Sequence, residues 1–264
     1  MTRWQDSTDH LEDRAVVLKQ QYGEEQLAAF RPRRGDFDPE DRFTELVREY
    51  LAPDDVVVDI GTGDGTWLLA EAYPRVRRAV GLDYSAGRQW LAVQRKAALR
   101  AKAEFLLCDA RRIPLRDSAA SAIINRRGPW TANEDFMREG LRILASGGLA
   151  LEISIGEQNA CELNDVFGDR AQMYPWRTRD RLGEMVGLYR EHGLEVLVAE
   201  THVTSEVFSS REALVYRFQT APGIEDFDPD ADASLIDRVV SDHGDAEGIR
   251  QTVHRICLVA RNRP

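Results

Sequence analysis

Apolar positions along this chain follow two periods that alternate with each other. Short runs rich in Val, Ile, Leu and Ala have the character of buried strands, and between them apolar residues recur every three or four positions, as on one face of a helix. This alternation predicts a parallel sheet with helices on both faces. The predicted strands are 55–60, 77–83, 103–108, 120–125, 148–154, 194–202 and 252–262, and the predicted helices are 65–73, 86–100, 133–144 and 177–192.

The stretch 56–70, VVVDIGTGDGTWLLA, reads as a buried strand, a glycine turn and a helix. Such a unit begins a nucleotide-binding fold, because Gly61, Gly63 and Gly65 permit positive φ and let backbone N–H groups approach a ligand. The dinucleotide fingerprint GxGxxG needs a third glycine where this chain has Thr66, which argues against an NAD-dependent oxidoreductase. The P-loop fingerprint needs Gly-Lys-Ser/Thr, and the turn contains no lysine.

Motifs at the ends of successive strands resemble those of class I S-adenosylmethionine (SAM)-dependent methyltransferases. The glycine turn after Asp59 is similar to the first motif of that family. RRAVGLDYS ends its strand on Asp83, and AEFLLC ends the next strand just before Asp109. SGGLALEIS, residues 146–154, resembles the start of the family's fifth strand, and the resemblance is good over 52–155. The chain is also similar to a bacterial branch of type 11-like methyltransferases.

The resemblance implies a Rossmann-like, doubly wound sheet of seven mostly parallel strands, with the last strand antiparallel, and SAM as cofactor. In that family the glycine turn passes under the methionine half of SAM, and an acid equivalent to Asp83 binds the ribose hydroxyls. Asp109 and the backbone of Ala110 would meet the adenine, and Asn125 would lie near the sulfonium. The predicted cofactor-binding residues are Asp59, Gly61, Thr62, Gly63, Gly65, Asp83, Tyr84, Asp109, Ala110 and Asn125.

Two regions fall outside the alternating core. Residues 1–51 are polar and mostly helical in pattern, and we expect an N-terminal lid over the cofactor or, alternatively, an arm packed on the sheet edge. The methyltransferase domain is expected to span 52–264. It carries an insertion at about 203–251, before the last strand, with helices predicted near 210–219 and 233–242. The insertion is a second candidate for substrate contacts.

The methyl acceptor is expected beyond the carboxyl ends of the fourth and fifth strands. There Arg126 or Arg127 is predicted to bind an anionic substrate group, with Trp130 as a stacking wall; the alternative is a solvent-facing turn with the tryptophan packed on the sheet. Glu157 is a candidate base, or else part of a helix-capping turn. His202 is a weaker candidate base, and a structural histidine is the alternative. The catalytic residues are otherwise unknown.

Composition narrows the partners. The net charge of −10 argues against a general nucleic-acid binder, so a small-molecule acceptor is preferred. Two alternatives stay open: an RNA methyltransferase with a local phosphate-binding patch, and a SAM-binding protein without catalysis. The arginines available for such a patch are Arg31, Arg33, Arg34, Arg126 and Arg127.

Cysteine usage and apolar runs bear on location and metals. The chain contains three cysteines that are far apart and form no CxxC pair: Cys108, Cys161 and Cys257. We therefore expect reduced thiols and no zinc site. The acidic loop 226–232 lacks the glycine of a calcium-binding loop, and we expect it to be solvated with Asp232 capping the next helix. With no signal peptide and no membrane-spanning run, the predicted location is cytoplasmic.

Overall fold

The protein is described here by a computed structural model. The described residues are 18, 21–128, 130–132, 134–171, 179–221 and 223–263. The chain divides into two compact units. The larger unit comprises 39–155, 181–201 and 255–264, and the smaller unit comprises the described parts of 1–38, 156–180 and 202–254. The predicted N-terminal lid or arm, residues 1–51, is therefore described only in part, because residues 1–17 and 19–20 lie outside the described residues.

Helices and strands occur close to their predicted positions. The α-helices are α1 Glu24–Ala29, α2 Pro39–Tyr50, α3 Ala86–Leu99, α4 Glu134–Ile143, α5 Cys161–Phe167, α6 Arg181–Glu191, α7 Arg211–Thr220 and α8 Ala233–His243. The strands are β1 Arg33–Arg34, β2 Val56–Ile60, β3 Arg78–Asp83, β4 Glu104–Leu107, β5 Ala120–Arg126, β6 Leu144–Ile155, β7 Leu194–Phe208, β8 Gly244–Asp245 and β9 Gly248–Asn262. A π-helix, Leu68–Ala72, follows the glycine turn, and it continues as a 3₁₀ turn, Tyr73–Arg75.

The larger unit is built on a sheet with the strand order β7-β9-β6-β5-β2-β3-β4. Strands β2 to β6 pair in parallel, and β9 runs antiparallel to β6. This arrangement confirms the predicted seven-stranded, mostly parallel sheet with an antiparallel last strand. In the smaller unit, β1 and β8 add two-residue strands that pair with β7 and β9.

Successive residues of the central strands face opposite sides of the sheet, so each strand supplies two cores. In β2, Val58 packs in the core that includes Met137 of α4 and Tyr189 of α6. The preceding residue, Val57, packs in the core that includes Phe43 of α2. Because both faces are covered, the parallel strands read as nearly continuous apolar runs. The doubly wound architecture follows from this pattern.

Strands β7 and β9 are longer than predicted. β7 continues to Phe208, and β9 already begins at Gly248, so both reach into the segment predicted as an insertion. In the extension of β7 the exposed Arg34 lies opposite the buried Glu206, so the pattern of apolar residues gives no signal for this pairing. Because β7 is longer, His202 lies inside the strand, whereas the sequence predicted it near the strand's end.

The smaller unit has a core of its own. Phe167, Phe218 and Phe227 pack edge to face there, with centroids 5.4 to 6.5 Å apart. Asp232 precedes α8, but its carboxylate makes no cap hydrogen bond. It accepts instead two hydrogen bonds from Arg170, at 2.7 and 2.9 Å. Asp232 therefore occupies the predicted N-cap position, but its carboxylate bonds to Arg170 and to the backbone N–H of Asp228, at 3.1 Å, and not to the helix.

Candidate cofactor and acceptor site

The glycine turn adopts the conformation for which glycine was expected. Gly61, Gly63 and Gly65 all have positive φ, at 78°, 60° and 71°. The turn is held against β3, since the N–H groups of Gly61 and of the next residue both donate to the carbonyl of Leu82, at 2.8 and 2.9 Å. A Cβ on Gly65 would lie 2.6 Å from the ring of Phe105, so close packing adds to the conformational requirement there.

Asp83 joins this turn to the end of β3. Its side chain is buried, and its two oxygens accept hydrogen bonds from the backbone N–H groups of Gly63, at 2.8 Å, and Ser85, at 3.0 Å. Each carboxylate oxygen keeps a lone pair for a further donor. The acid at the end of the second core strand is therefore in direct contact with the glycine turn, as a shared cofactor site requires.

Asp59 is fully buried beneath the turn. Burial raises its pKa to about 6, although the Thr62 hydroxyl and the Arg126 guanidinium act in the opposite direction. Among the described residues, its Oδ1 atom has no hydrogen-bond partner. A buried acceptor without a donor is rare in proteins, and it suits a donor group on a ligand.

The predicted adenine-binding residues lie in the loop after β4. The Asp109 carboxylate accepts hydrogen bonds from the backbone N–H of Arg111, at 2.9 Å, and from its guanidinium. These bonds hold the pKa of Asp109 below its usual range. Ala110 packs against the core on the α4 side, and Tyr84 is exposed. Arg111 thus fixes the orientation of the Asp109 carboxylate, which already accepts hydrogen bonds before any ligand binds.

Asn125, the last predicted cofactor residue, belongs to a buried group that we call the Glu152 network. Its Nδ2 donates to Glu152 Oε1 at 2.9 Å, and the Thr131 hydroxyl donates to the same atom at 2.8 Å. The Tyr189 hydroxyl donates to the other oxygen at 2.7 Å. Burial raises the pKa of Glu152, and the three hydrogen bonds oppose that shift. The side chain of Asn125 is therefore committed to the core on the α4 side.

The sequence contained one signal for this network. Glu152 is the sole carboxylate in the stretch SGGLALEIS, where every other position is small, apolar or a hydroxyl. A charge at a core position of a strand requires partners. Those partners come from distant parts of the chain, such as Tyr189 in α6, and were not foreseeable from local pattern.

A second charged group, which we call the arginine cluster, consists of Arg126, Arg127 and Arg255 around Glu40. The carboxylate oxygens of Glu40 lie 2.8 Å from Arg126 Nη2, 3.4 Å from Arg127 Nε and 3.3 Å from Arg255 Nε. Burial acts to raise the pKa of Glu40, but the three guanidinium charges together lower it to about 2. Glu40 and Arg255 were not recognised from the sequence, because 215 residues separate them.

Trp130 does not occupy the position predicted for it. Its side chain is fully buried, and its ring stacks on Tyr189 with centroids 6.2 Å apart. The prediction of a stacking wall for the substrate is therefore wrong, and the alternative, a tryptophan packed on the sheet, agrees with the structure. An aromatic ring of this size stabilises the core more by burial than it would by lining an open site.

The two candidate bases, Glu157 and His202, belong to the smaller unit. Glu157 Oε2 lies 3.8 Å from His254 Nδ1, which also accepts the backbone N–H of Gln158 at 3.1 Å. His202 lies beside Phe37, with ring centroids 5.0 Å apart. Neither contact identifies a base, and both roles stay predictions.

A cavity of about 720 Å³ lies at the opposite, amino-terminal edge of the sheet. Val56, Arg78 and Ala120, which begin β2, β3 and β5, contribute to its lining. Ligands of parallel sheets bind beyond the carboxyl ends of the strands. By this rule the cavity lies at the edge opposite to the one where a ligand is expected.

Residues 57–148 match the family described as Methyltransferase domain. This segment is about a third of the chain, and it is similar to a methyltransferase domain. It includes the glycine turn, Asp83, Asp109 and Asn125. A search of curated proteins finds no sequence match.

Several solved structures are similar in fold to this chain. A proposed methyltransferase from Bacillus halodurans C-125 has a TM-score of 0.63 at 17% identity, covering 85% of this chain and 98% of that one. Geranyl diphosphate C-methyltransferase from Streptomyces coelicolor A3(2), bound to S-adenosylhomocysteine, has a TM-score of 0.53 at 19% identity, covering 84% and 78%. The cyclase SpnF has a TM-score of 0.57 at 20% identity, covering 87% and 86%. At these identities the likeness shows a common fold, not a common substrate.

Proposed function

We propose that this protein transfers the methyl group of SAM to a small-molecule acceptor. The observation that carries the proposal is the contact between the glycine turn and Asp83. Three glycines at positive φ and a strand-end acid bonded to the backbone of Gly63 form one continuous surface at the edge of the sheet. This is the edge at which doubly wound sheets bind nucleotide-like ligands.

The residues at this edge fit SAM part by part. The unpartnered Oδ1 of Asp59 suits the ammonium group of an amino acid, which the methionine half of SAM carries. The remaining lone pairs of Asp83 suit the two ribose hydroxyls. We assign adenine recognition to Asp109 and the backbone of Ala110, with Arg111 holding the carboxylate in place. Thr62 and Tyr84 complete the proposed site.

SAM supplies a methyl group that its positive sulfur has already activated. The chain's own task is then to orient the two reactants and to exclude water. The glycine turn and Asp83 would hold the cofactor, and the ends of β5 and β6 would hold the acceptor. A base is needed only when the nucleophile must lose a proton, and Glu157 and His202 stay candidates for it.

The RNA alternative is less well supported by the contacts of the arginines. Arg34 forms an ion pair with Asp38, and the guanidinium of Arg33 donates to the carbonyl of Glu247. Arg126 and Arg127 face Glu40. Arginines engaged in this way offer fewer free contacts to phosphates, in a chain whose net charge is −10.

A SAM-binding protein without methyl transfer is the second alternative. The cyclase SpnF has the same fold, so the fold by itself does not establish methyl transfer. We also propose a cytoplasmic location, which the three free cysteines favour. No helix among the described residues has the length and apolar character needed to cross a membrane.

Calorimetric titration with SAM, S-adenosylhomocysteine and NAD tests the cofactor, and incubation with methyl-labelled SAM and a small-metabolite extract tests the transfer. We expect micromolar binding of SAM and S-adenosylhomocysteine, no binding of NAD, and label in a small molecule. Label in RNA added to a parallel reaction would favour the RNA alternative. Tight SAM binding without transfer to either pool would favour the alternative without methyl transfer.

A further inference from the structure

Three arginines meet at the carboxyl ends of β5 and β6. Arg126 ends β5, Arg127 follows it, and Arg255 of β9 pairs with Ile155 at the end of β6. These three guanidinium groups converge on one carboxylate, that of Glu40. The side chains of Arg126 and Arg255 are only 20% and 7% exposed, so water screens their charges poorly.

Asp59 is a further acid beside the arginine cluster. It interacts electrostatically with Arg126, and its own pKa is near 6. The three guanidinium groups share the carboxylate of Glu40, so each of them receives only part of its charge. Buried cations that share a counter-charge are further stabilised by an anion, so this region is suited to an anionic ligand.

The arginine cluster is also preorganised. The guanidinium of Arg126 lies over the Trp67 ring, 4.6 Å from its centroid, and its buried Nε has no hydrogen-bond partner among the described residues. Arg127 has φ of 56°, a conformation that non-glycine residues seldom adopt, and its N–H donates to Ile153 at 2.7 Å. Strained backbone of this kind persists where the surroundings hold it, and it is common at ligand sites.

Arg126 lies next to Asn125 and interacts electrostatically with Asp59, but the other proposed cofactor residues lie farther from the arginine cluster. The glycine turn, Asp83 and Asp109 follow β2, β3 and β4, whereas the arginines belong to β5 and β9, on the other side of β2 in the sheet. Neighbouring strands are about 4.8 Å apart, which puts β9 roughly 14 Å from β2. The cluster therefore lies toward the side where the acceptor is expected.

We propose that the arginine cluster binds an anionic group of the methyl acceptor, a carboxylate or a phosphate, which makes the substrate an organic acid or a phosphorylated small molecule. Glu40 orients the three guanidinium groups and offsets part of their charge when no acceptor is bound. The inference rests on the proposed function, because it assigns the acceptor end of that same site. Arg127, with a side chain 40% exposed, is the member most open to a ligand.

Inorganic phosphate is the probe, titrated calorimetrically at constant ionic strength into protein saturated with S-adenosylhomocysteine. We expect Arg127→Gln to weaken phosphate binding about tenfold, through loss of a charge-assisted hydrogen bond. Glu40→Gln is expected to strengthen binding, because a competing carboxylate is removed. Arg138→Gln is the matched control: it removes the same charge from a helix position that is 66% exposed, and phosphate affinity should not change.

Equal phosphate affinity in Arg127→Gln and Arg138→Gln would overturn the inference, and so would absence of phosphate binding to the saturated wild-type protein. Phosphate binding that disappears once S-adenosylhomocysteine is bound would also overturn it, because the arginines would then serve the cofactor's own carboxylate. The titration with S-adenosylhomocysteine is a separate readout. Its failure contradicts the proposed function, whereas normal cofactor binding without phosphate binding contradicts only the assignment of the acceptor.

Discussion

Glu40 and Glu152 are two glutamates of the same unit with little exposure to water, and their pKa values move in opposite directions. Glu152 accepts hydrogen bonds from neutral donors on Tyr189, Thr131 and Asn125, and burial raises its pKa. Burial also acts to raise the pKa of Glu40, but three guanidinium groups lower it to about 2. The comparison teaches that burial alone does not decide the direction in which the pKa of a carboxylate moves. The three cationic partners of Glu40 decide it there.

The two groups also differ in what they offer a ligand. The Glu152 network lies on the α4 side of the sheet and is buried. We therefore expect its hydrogen bonds to stabilise the ends of β5 and β6. The arginine cluster lies on the α2 side, and its Arg127 side chain is 40% exposed. We therefore expect stability to depend mainly on the first group and acceptor binding on the second.

The largest expected effect is on stability. Glu152→Ala should lower the free energy of unfolding by about 4 kcal/mol, because it opens a cavity and leaves three buried donors without an acceptor. Urea denaturation measures this change. Glu134→Ala, at a position of α4 that is 67% exposed, is the control and should change stability by less than about 0.5 kcal/mol. A small effect of Glu152→Ala would contradict the structural role of the network.

The pH dependence of stability should have opposite signs at the two glutamates. The pKa of Glu40 in the folded protein is depressed from 4.5 to about 2, so its stabilisation is present above pH 4.5 and lost as pH falls toward 2. The pKa of Glu152 is raised above 4.5, so its contribution falls as pH rises above that value. For Glu40 the full change is about 3 kcal/mol.

Unfolding free energies measured from pH 2 to 8 test this pair of signs with two isosteric variants. Glu40→Gln should flatten the acid limb of the wild-type curve. Glu152→Gln should remove a decline that begins above about pH 4.5. Parallel curves for wild type and both variants would show that neither carboxylate is coupled to folding as the contacts indicate.

The smallest of the expected effects concerns the buried Asp83 and is an effect on ligand affinity. Its partners are backbone N–H groups, and it is proposed to bind ribose. Asp83→Ala should weaken SAM binding by about 2 kcal/mol, through loss of charge-assisted hydrogen bonds. Calorimetric titration checks this value, with Asp54→Ala, an exposed aspartate in the loop before β2, as control. An unchanged affinity of Asp83→Ala for SAM would contradict the proposal that Asp83, at the end of β3, binds the ribose.

Where sequence reasoning succeeded, the information was local. The positive φ of Gly61, Gly63 and Gly65 was expected from the turn itself, since the constraint acts on the backbone of those residues. Strand ends were recognised because a polar residue interrupts an apolar run, as at Asp83. Where it failed, as with the buried Trp130, composition was compatible with both outcomes and packing against Tyr189 decided between them.

The sequence by itself determined the doubly wound sheet, the glycine turn and the order of strand-end acids, because apolar period and glycine conformation act over a few neighbouring residues. Only the tertiary structure decided which charges meet. Glu40 reaches Arg255 across 215 positions, and Glu152 reaches Tyr189 across 37. Pairing at such distances depends on which helix covers which face of the sheet. The residues proposed to bind the cofactor could therefore be predicted from the sequence, whereas the arginine cluster could be recognised only in the folded structure.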